Sequence, residues 1–220
     1  MTKLEVVTWL RKTGLIPVVR AESPEQAMRA VDAIKAGGVD IVEVTMTVPD
    51  AVGLIEKLAG KYAGEVLIGA GTVMNPETAQ ACIDAGAEFI VSPALNLETI
   101  AYCRSRDVAV LPGALTPTEV VQAWSAGADA VKVFPAGALG GASYLKSLKA
   151  PLPQIELVPT GGVSLKTAAD FIHAGAMALG VGADLVDLKA LKEDRDNVLT
   201  ERAREYLAIV REARAAMNPK

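Results

Sequence analysis

The sequence predicts an α/β fold, a single-domain (β/α)8 TIM barrel over residues 1–220, from three observations. Short apolar segments alternate with segments of helical periodicity along the whole chain. Eight such pairs fit within 220 residues, a length at which α/β barrels form one domain. The phrase Ala-Gly-Ala or Ala-Gly-Gly recurs from positions 36, 85, 126 and 174, about once in every two units, where glycine suits the left-handed residue that ends a helix.

Eight apolar segments are predicted to be parallel strands. They span residues 15–21, 39–46, 65–71, 88–92, 108–113, 130–135, 155–162 and 176–182. Their nearly continuous apolar character is typical of strands that helices cover. A doubly wound open sheet is the alternative, but the first segment is not followed by the Gly-x-Gly-x-x-Gly motif of that fold.

The helical segments begin at recognisable signals. Ser23-Pro24, Asn75-Pro76 and Thr116-Pro117 each place a capping side chain before a proline, which favours a helix start. A last helix, rich in Arg, Glu and Ala, is predicted on the surface at about 194–216. The chain contains no linker or low-complexity tract that would divide it, so we expect one domain.

Composition excludes several classes of protein. With 22 Lys+Arg against 26 Asp+Glu and a net charge of −4, nucleic-acid binding through bulk positive charge is excluded. The two cysteines, Cys82 and Cys103, form no Cys-x-x-Cys pair, which favours free thiols in a reducing cytoplasm over disulfides or a cysteine metal site. The sequence shows neither a signal-peptide pattern nor an apolar run of about 18 residues. We therefore expect no membrane partner.

The single histidine limits the available chemistry. His173 stands in Asp-Phe-Ile-His-Ala-Gly-Ala, where a cation at a helix C-terminus is the simplest interpretation. Ser-His-Asp triads and histidine-rich zinc sites are therefore not expected, and neither a metal nor a cofactor is predicted. Acid–base chemistry must be carried by carboxylates, lysines or tyrosines.

Two charged residues lie within apolar predicted strands. Strand alternation places Lys132 with Phe134 on one face, and Glu43 with Thr45 and Thr47 on one face of its own strand. A lysine whose ammonium reaches water at the rim, or a purely structural ion pair, is the alternative. Burial disfavours the ammonium form, and a neutral amine beside a carboxylate suits Schiff-base chemistry with a ketone. Lys132 and Glu43 are therefore the catalytic candidates.

Residues at two other strand ends are candidates for ligand binding. Arg20 ends the first predicted strand, where a guanidinium can hold a carboxylate through two hydrogen bonds. A salt bridge with Glu22 or Glu43 is the structural alternative. Thr72 follows Gly69–Gly71 and offers a hydroxyl and an amide, although a tight turn alone could require these glycines.

Glycines follow the last two predicted strands. Gly161 and Gly162 come after the seventh, and Gly182 with Ala183 comes after the eighth. Barrels often bind phosphate with these two loops, because glycines let backbone N–H groups point at the anion. The pair of loops predicts a phosphorylated small-molecule ligand.

These residues resemble the 2-keto-3-deoxy-6-phosphogluconate (KDPG) / 4-hydroxy-2-oxoglutarate (KHG) aldolase family. The similarity extends from Ile16-Pro17-Val18-Val19-Arg20 to Gly182. It is carried by five ordered motifs: Val42-Glu43-Val44-Thr45, Gly69-Ala70-Gly71-Thr72-Val73, Val91-Ser92-Pro93, Lys132-Val133-Phe134-Pro135-Ala136 and Pro159-Thr160-Gly161-Gly162-Val163.

The resemblance implies a class I aldolase on a homotrimeric barrel that needs no metal. Such enzymes cleave KDPG to pyruvate and glyceraldehyde 3-phosphate, and KHG to pyruvate and glyoxylate. Lys132 would form the Schiff base and Glu43 would be the general acid and base. The remaining positions would bind substrate: Arg20 and Thr72 the pyruvyl carboxylate, Pro93 and Phe134 the pocket wall, and Gly161, Gly162, Gly182 and Ala183 the phosphate.

Two positions depart from the family pattern and leave alternatives open. Where some members have Glu-Val-Thr-x-Arg, this chain has Thr47 in place of the arginine, and Ala183 stands where many have serine. The lost hydroxyl would shift preference toward shorter or unphosphorylated substrates.

The alternatives are a 2-keto-3-deoxy-6-phosphogalactonate aldolase or another pyruvate aldolase, a phosphate-binding isomerase, epimerase or synthase, and a non-catalytic sugar-phosphate-binding barrel. A metal-dependent aldolase with carboxylate-bound Mg²⁺ is a further, less favoured alternative.

Overall fold

The computed structural model describes residues 1–217 as parallel strands alternating with helices. The strands are β1 Leu15–Val19, β2 Ile41–Thr45, β3 Leu67–Gly71, β4 Phe89–Val91, β5 Ala109–Leu111, β6 Gly113–Ala114, β7 Val131–Val133, β8 Leu157–Pro159 and β9 Leu179–Val181. The helices are α1 Lys3–Thr13, α2 Pro24–Ala36, α3 Ala51–Lys61, α4 Pro76–Asp84, α5 Leu97–Ser105, α6 Pro117–Ser125, α7 Ala142–Lys149, α8 Ala168–His173, α9 Leu188–Lys192 and α10 Asn197–Met217, with a 3-10 turn at Ala136–Leu139. The predicted α/β class is confirmed.

The strands form two parallel ladders. One has the order β5-β4-β3-β2-β1-β9 and the other has the order β6-β7-β8. The prediction of one strand over 108–113 was wrong, because that segment divides into β5 and β6 at Pro112. Proline has no N–H group with which to continue a ladder. Two single parallel bridges, Leu157 to Ala176 and Thr160 to Gly180, link β8 to the β9 region.

A helix that the sequence analysis did not predict covers one end of the strands. Val6 and Leu10 of α1 share a buried cluster with residues that begin strands, among them Ile41, Leu67 and Phe89. The second, larger buried cluster lies between the strands and the surrounding helices. Because α1 covers the amino ends of the strands, the opposite, carboxyl ends are left for a functional site.

The predicted helix starts are confirmed by their capping bonds. The side-chain oxygens of Ser23, Asn75 and Thr116 accept hydrogen bonds from the backbone N–H three residues later, at 3.2, 2.8 and 3.3 Å. Helix α10 buries one side, including Tyr206 and Val210, and contacts α8 and α2.

Glycines end several helices in the left-handed conformation. Gly86, Gly127 and Gly175 have φ values of 103°, 96° and 94°. In the first of the four repeated phrases it is Gly38, with φ 93°, and not Gly37, that is left-handed. The difference of one residue moves the turn but still directs the chain into β2.

Cys82 and Cys103 are free and buried, in α4 and α5. Burial raises the pKa of their thiols to about 11 and about 12, so both stay protonated and unreactive near neutral pH. Among residues 1–217, none of the helices is both long and apolar enough to cross a membrane.

Candidate active site

The side chains of Lys132 and Glu43 lie next to each other in the interior of the protein; we call them the buried pair. Lys132 lies on β7 and Glu43 on β2, so the two side chains come from different ladders. Lys132 Nζ is 3.7 Å from Glu43 Oε1, and the two residues are 5% and 2% exposed. The backbone N–H of Lys132 donates to the Pro112 carbonyl at 2.9 Å, which holds β7 against the divided strand. The structure thus brings together the two residues that strand alternation singled out.

The carboxylate of the buried pair is incompletely satisfied. Glu43 Oε1 is buried and accepts no hydrogen bond within residues 1–217, and 3.7 Å from Lys132 Nζ is beyond hydrogen-bond length. A buried carboxylate oxygen without a donor costs about 1–3 kcal/mol or more. This geometry favours a functional pair over a structural ion pair.

Thr45, the last residue of β2, and Thr47 in the turn after it hold the end of β1. The prediction that Thr47 continues the strand face of Glu43 was wrong, because β2 ends at Thr45. Thr45 Oγ1 donates to the Val19 carbonyl at 3.1 Å and lies 2.6 Å from Thr47 Oγ1. Since the Thr45 hydrogen is used toward Val19, Thr47 is the donor of the second bond. The Val19 carbonyl belongs to the peptide bond before Arg20, so these hydroxyls orient the base of that side chain.

Arg20 is exposed and forms no salt bridge within the described residues. Of its two proposed partners, Glu22 pairs with Lys192 at 2.7 Å, and Glu43 faces Lys132. The structural alternative of a rim salt bridge is therefore wrong for Arg20. Its guanidinium is available to a ligand.

A cavity of about 440 Å³ is lined by residues at or after the ends of β1, β7, β8 and β9; we call it the glycine cavity. Its lining includes six of the predicted site residues, namely Arg20, Phe134, Gly161, Gly162, Gly182 and Ala183. The Phe134 ring connects it to the buried pair, because Lys132 Nζ lies 5.3 Å from the ring centroid. Lys132, Glu43, Thr72 and Pro93 are not among its lining residues.

The glycine loops present backbone donors. Gly161 and Gly162 have φ values of 82° and 80°, which only glycine adopts without strain. The backbone N–H groups of Gly162, Gly182 and Ala183 donate no backbone hydrogen bond within residues 1–217. Free N–H groups on glycine turns are typical of anion sites.

Sequence reasoning missed two polar residues of this cavity, Thr160 and Asp184. Asp184 Oδ2 accepts from the Leu165 N–H at 3.2 Å and from the Tyr206 hydroxyl. Burial, and then the bond to Asp184, raise the pKa of Tyr206, so the phenol remains a donor. The available signal was position, since Thr160 precedes Gly161 directly and Asp184 follows Ala183.

Thr72 and Pro93 lie at the ends of β3 and β4. Thr72 has φ 60°, a strained conformation for a β-branched residue that is concentrated at functional sites. The Pro93 backbone lies against Gly113, where a Cβ atom would be 2.6 Å from the Ala94 nitrogen. In the strand order, β2 and β1 separate β3 and β4 from β9, so these two turns do not adjoin the loop that contains Gly182.

Within residues 1–217, no cluster of three or more His, Cys, Asp or Glu residues has a geometry that could hold a metal ion. The charged groups at the site are the buried pair, Arg20 and Asp184.

A family model described as KDPG and KHG aldolase matches residues 6–201. The chain belongs to this aldolase family. It is an enzyme of the aldolase class, a lyase.

Named relatives agree with this family. A 2-dehydro-3-deoxy-6-phosphogalactonate aldolase of Escherichia coli is 38% identical over 80% of this chain and 86% of its own length. A 2-dehydro-3-deoxy-phosphogluconate aldolase of Treponema pallidum is 35% identical over 91% of this chain and 95% of its own.

A solved structure also agrees. The KDPG aldolase of Legionella pneumophila, with pyruvate captured as a covalent carbinolamine intermediate, has a TM-score of 0.84 and 30% identity. The match covers 90% of this chain and 96% of that one. The relatives thus include both gluconate- and galactonate-type enzymes, so the family alone does not decide the substrate.

Proposed function

We propose that this protein is a class I aldolase that cleaves KDPG to pyruvate and glyceraldehyde 3-phosphate through a Schiff base on Lys132. The single observation that carries the proposal is the buried pair, with Lys132 Nζ 3.7 Å from Glu43 Oε1 and that oxygen free of other partners. The family membership and the carbinolamine of the Legionella relative support the same chemistry.

The proposed fold is a closed (β/α)8 barrel with the reaction at the carboxyl ends of its strands. The β5–β6 segment joins the two ladders on one side, and the bridges from β8 to the β9 region join them on the other. Counting β5 and β6 as one interrupted strand makes eight.

The reaction begins at the keto group. The Lys132 amine attacks C2 of the 2-keto acid, and the resulting carbinolamine loses water to give a protonated imine. Glu43 donates and accepts the protons of these steps, because its Oε1 lies 3.7 Å from the Lys132 amine and has no other hydrogen-bond partner.

Bond cleavage follows. Glu43 removes the proton of the C4 hydroxyl, the C3–C4 bond breaks, and its electron pair moves into the imine. The aldehyde leaves and an enamine of pyruvate remains on Lys132. Protonation at C3 and hydrolysis of the imine then release pyruvate and restore the amine.

The other site residues have binding roles in this proposal. Arg20 and Thr72 hold the pyruvyl carboxylate, with Pro93 and Phe134 shaping the pocket. Gly161, Gly162, Gly182 and Ala183 face the phosphate. The free guanidinium and the strained Thr72 support the first assignment, and the free N–H groups support the second.

A second candidate substrate is KHG, cleaved to pyruvate and glyoxylate. Ala183 offers no side-chain donor to a phosphate, and the Asp184 carboxylate lines the same cavity, where it opposes a second anion. The phosphogalactonate substrate is a third candidate, supported by the relative at 38% identity. Comparison of kcat/KM for the three compounds tests the ranking, and a KHG value above that for KDPG would reverse it.

A homotrimer in the cytoplasm is also proposed. Exposed apolar side chains at Met74, Leu97 and Val121 supply surface for subunit contacts, and the free thiols suit a reducing compartment. Light scattering on the purified protein tests the trimer, and a monomeric mass would contradict it.

Borohydride reduction in the presence of pyruvate tests the reaction. We expect a pyruvate adduct on the peptide that contains Lys132 and none on Lys149, a half-buried lysine outside the site that donates to the Ile155 carbonyl at 2.7 Å. Glu43→Gln should keep some adduct while turnover falls by about 10²- to 10⁴-fold. A folded protein without an adduct at Lys132 would contradict the class I mechanism.

A further inference from the structure

The backbone conformation at Gly71, the last residue of β3, does not require a glycine. It does not appear among the left-handed glycines, whereas the next residue, Thr72, has φ 60°. The β3 strand could therefore accept an alanine here without backbone strain. The reason for glycine at this position must lie in the space around it.

That space is filled by the catalytic carboxylate. A Cβ atom on Gly71 would lie 2.6 Å from both Cδ and Cγ of Glu43, and closer still to Oε1. These distances are far inside van der Waals contact. Glu43 is paired in register with Gly69, so its side chain extends along the neighbouring strand and lies over the bare backbone of Gly71.

The other glycine of β3 accommodates a different neighbour. Gly69 and Gly71 share one face of the strand, and a Cβ on Gly69 would overlap the Phe89 ring. Phe89 belongs to the buried apolar cluster beneath the site. Gly69 thus makes room for the Phe89 ring in the core, and Gly71 makes room for the Glu43 carboxylate.

We infer that Gly71 is a positioning residue, whose missing side chain provides the space in which the Glu43 carboxylate moves between the Lys132 imine and the substrate hydroxyl. The inference rests on the proposed function. Glu43 must serve the carbinolamine oxygen, the C4 hydroxyl and C3 in turn. The 3.7 Å separation from Lys132 and the unpartnered Oε1 leave it free to do so.

Gly71→Ala is the first test. An added methyl displaces the carboxylate by on the order of 1 Å, which can cost about 100-fold in rate. We expect kcat to fall by about that factor while KM changes little and the pyruvate adduct on Lys132 still forms. Gly60→Ala is the matched control, because Gly60 is exposed on α3 with open space around it, and its kcat should equal that of the wild type.

A double variant separates this role from a general effect on folding. Glu43→Asp shortens the side chain, so the carboxylate no longer needs the space that the added methyl occupies. We expect Gly71→Ala to reduce kcat far less in the Glu43→Asp background than in the wild type. Equal reductions in both backgrounds would overturn the inference.

The remaining outcomes are also decisive. If Gly71→Ala does not fold, recovery of a folded protein in the double variant supports the contact with Glu43, and continued misfolding overturns it. If Gly71→Ala keeps the wild-type kcat while Glu43→Gln is inactive, the inference about Gly71 is overturned and the proposed function stands. An active Glu43→Gln, or no adduct at Lys132, overturns the proposed function instead.

Discussion

The two halves of the candidate site are built in different ways. The buried pair consists of ionisable side chains on strands, almost wholly removed from solvent. The glycine cavity presents backbone N–H groups on loops, with only a few side chains such as Arg20 and Asp184. In the proposed mechanism, the chemistry that all substrates share is carried out by buried strand residues. Selection among substrates is assigned to the loops, which single substitutions can change.

Loss of the amine is the strongest test of this division. Lys132→Met should reduce turnover of every substrate by at least about 10⁴-fold, as removal of a nucleophile does. It also leaves the Glu43 carboxylate buried without its cation, which costs about 3–5 kcal/mol of folding stability. Initial rates and urea unfolding measure the two effects.

The Lys132→Met/Glu43→Gln variant is the matched control for stability. It removes both charges, so we expect the urea midpoint to return toward the wild-type value while turnover stays absent. Equal destabilisation in the single and double variants would show that the pair contributes through packing alone.

A substitution at Arg20 tests whether this residue binds the pyruvyl carboxylate or the phosphate. Arg20→Lys keeps the charge but loses the two-bond contact, which is worth about 1.5–3 kcal/mol, or about 10- to 100-fold in KM. If Arg20 binds the pyruvyl carboxylate, KM should rise by the same factor for KDPG and for KHG. A loss confined to KDPG would assign Arg20 to the phosphate instead.

Ala183→Ser tests the loop half alone. The new hydroxyl can donate to a phosphate, so we expect kcat/KM for KDPG to rise by about 10-fold, with no change for KHG. Because Ala183 is exposed, stability should not change. A parallel rise for both substrates would contradict the separation of the halves.

The last expected effect is on folding stability, at Tyr206 of α10, whose hydroxyl donates to Asp184 in the loop half. Tyr206→Phe removes the hydrogen bond to Asp184, at a cost of about 1–3 kcal/mol in unfolding free energy. Tyr102→Phe is the control, since its hydroxyl is in an exposed contact with Arg106 and should cost less than about 0.5 kcal/mol.

Tyr206 also predicts a pH dependence. Burial raises its pKa above the ordinary value of 10.0, so its contribution is complete below that pH and is lost as the pH rises further. Tyr206→Phe should remove this part of the alkaline decline in stability. An unchanged decline, measured by urea unfolding from pH 8 upward, would exclude Tyr206 as its source.

Local patterns were sufficient for much of the fold. The caps at Ser23, Asn75 and Thr116 involve residues three apart, so a short window of sequence contains all the information. The split at Pro112 was not recognised, because a proline ends a ladder only where a neighbour needs its N–H group. Helix α1 was also missed, although it has local signals of the same kind: Thr2 and Glu5 form a capping box and Gly14 ends the helix in the left-handed conformation.

The sequence by itself determined the residue types of the site and the strand faces that carry them, because side chains alternate strictly along a strand. Only the tertiary structure decided which of them meet. Three contacts were decided in this way: Lys132 with Glu43 at 3.7 Å, Glu22 with Lys192 instead of Arg20, and Glu43 with Gly71. Each joins residues of different strands, helices or loops. Such contacts depend on how strands pair and twist, which no local stretch of sequence encodes.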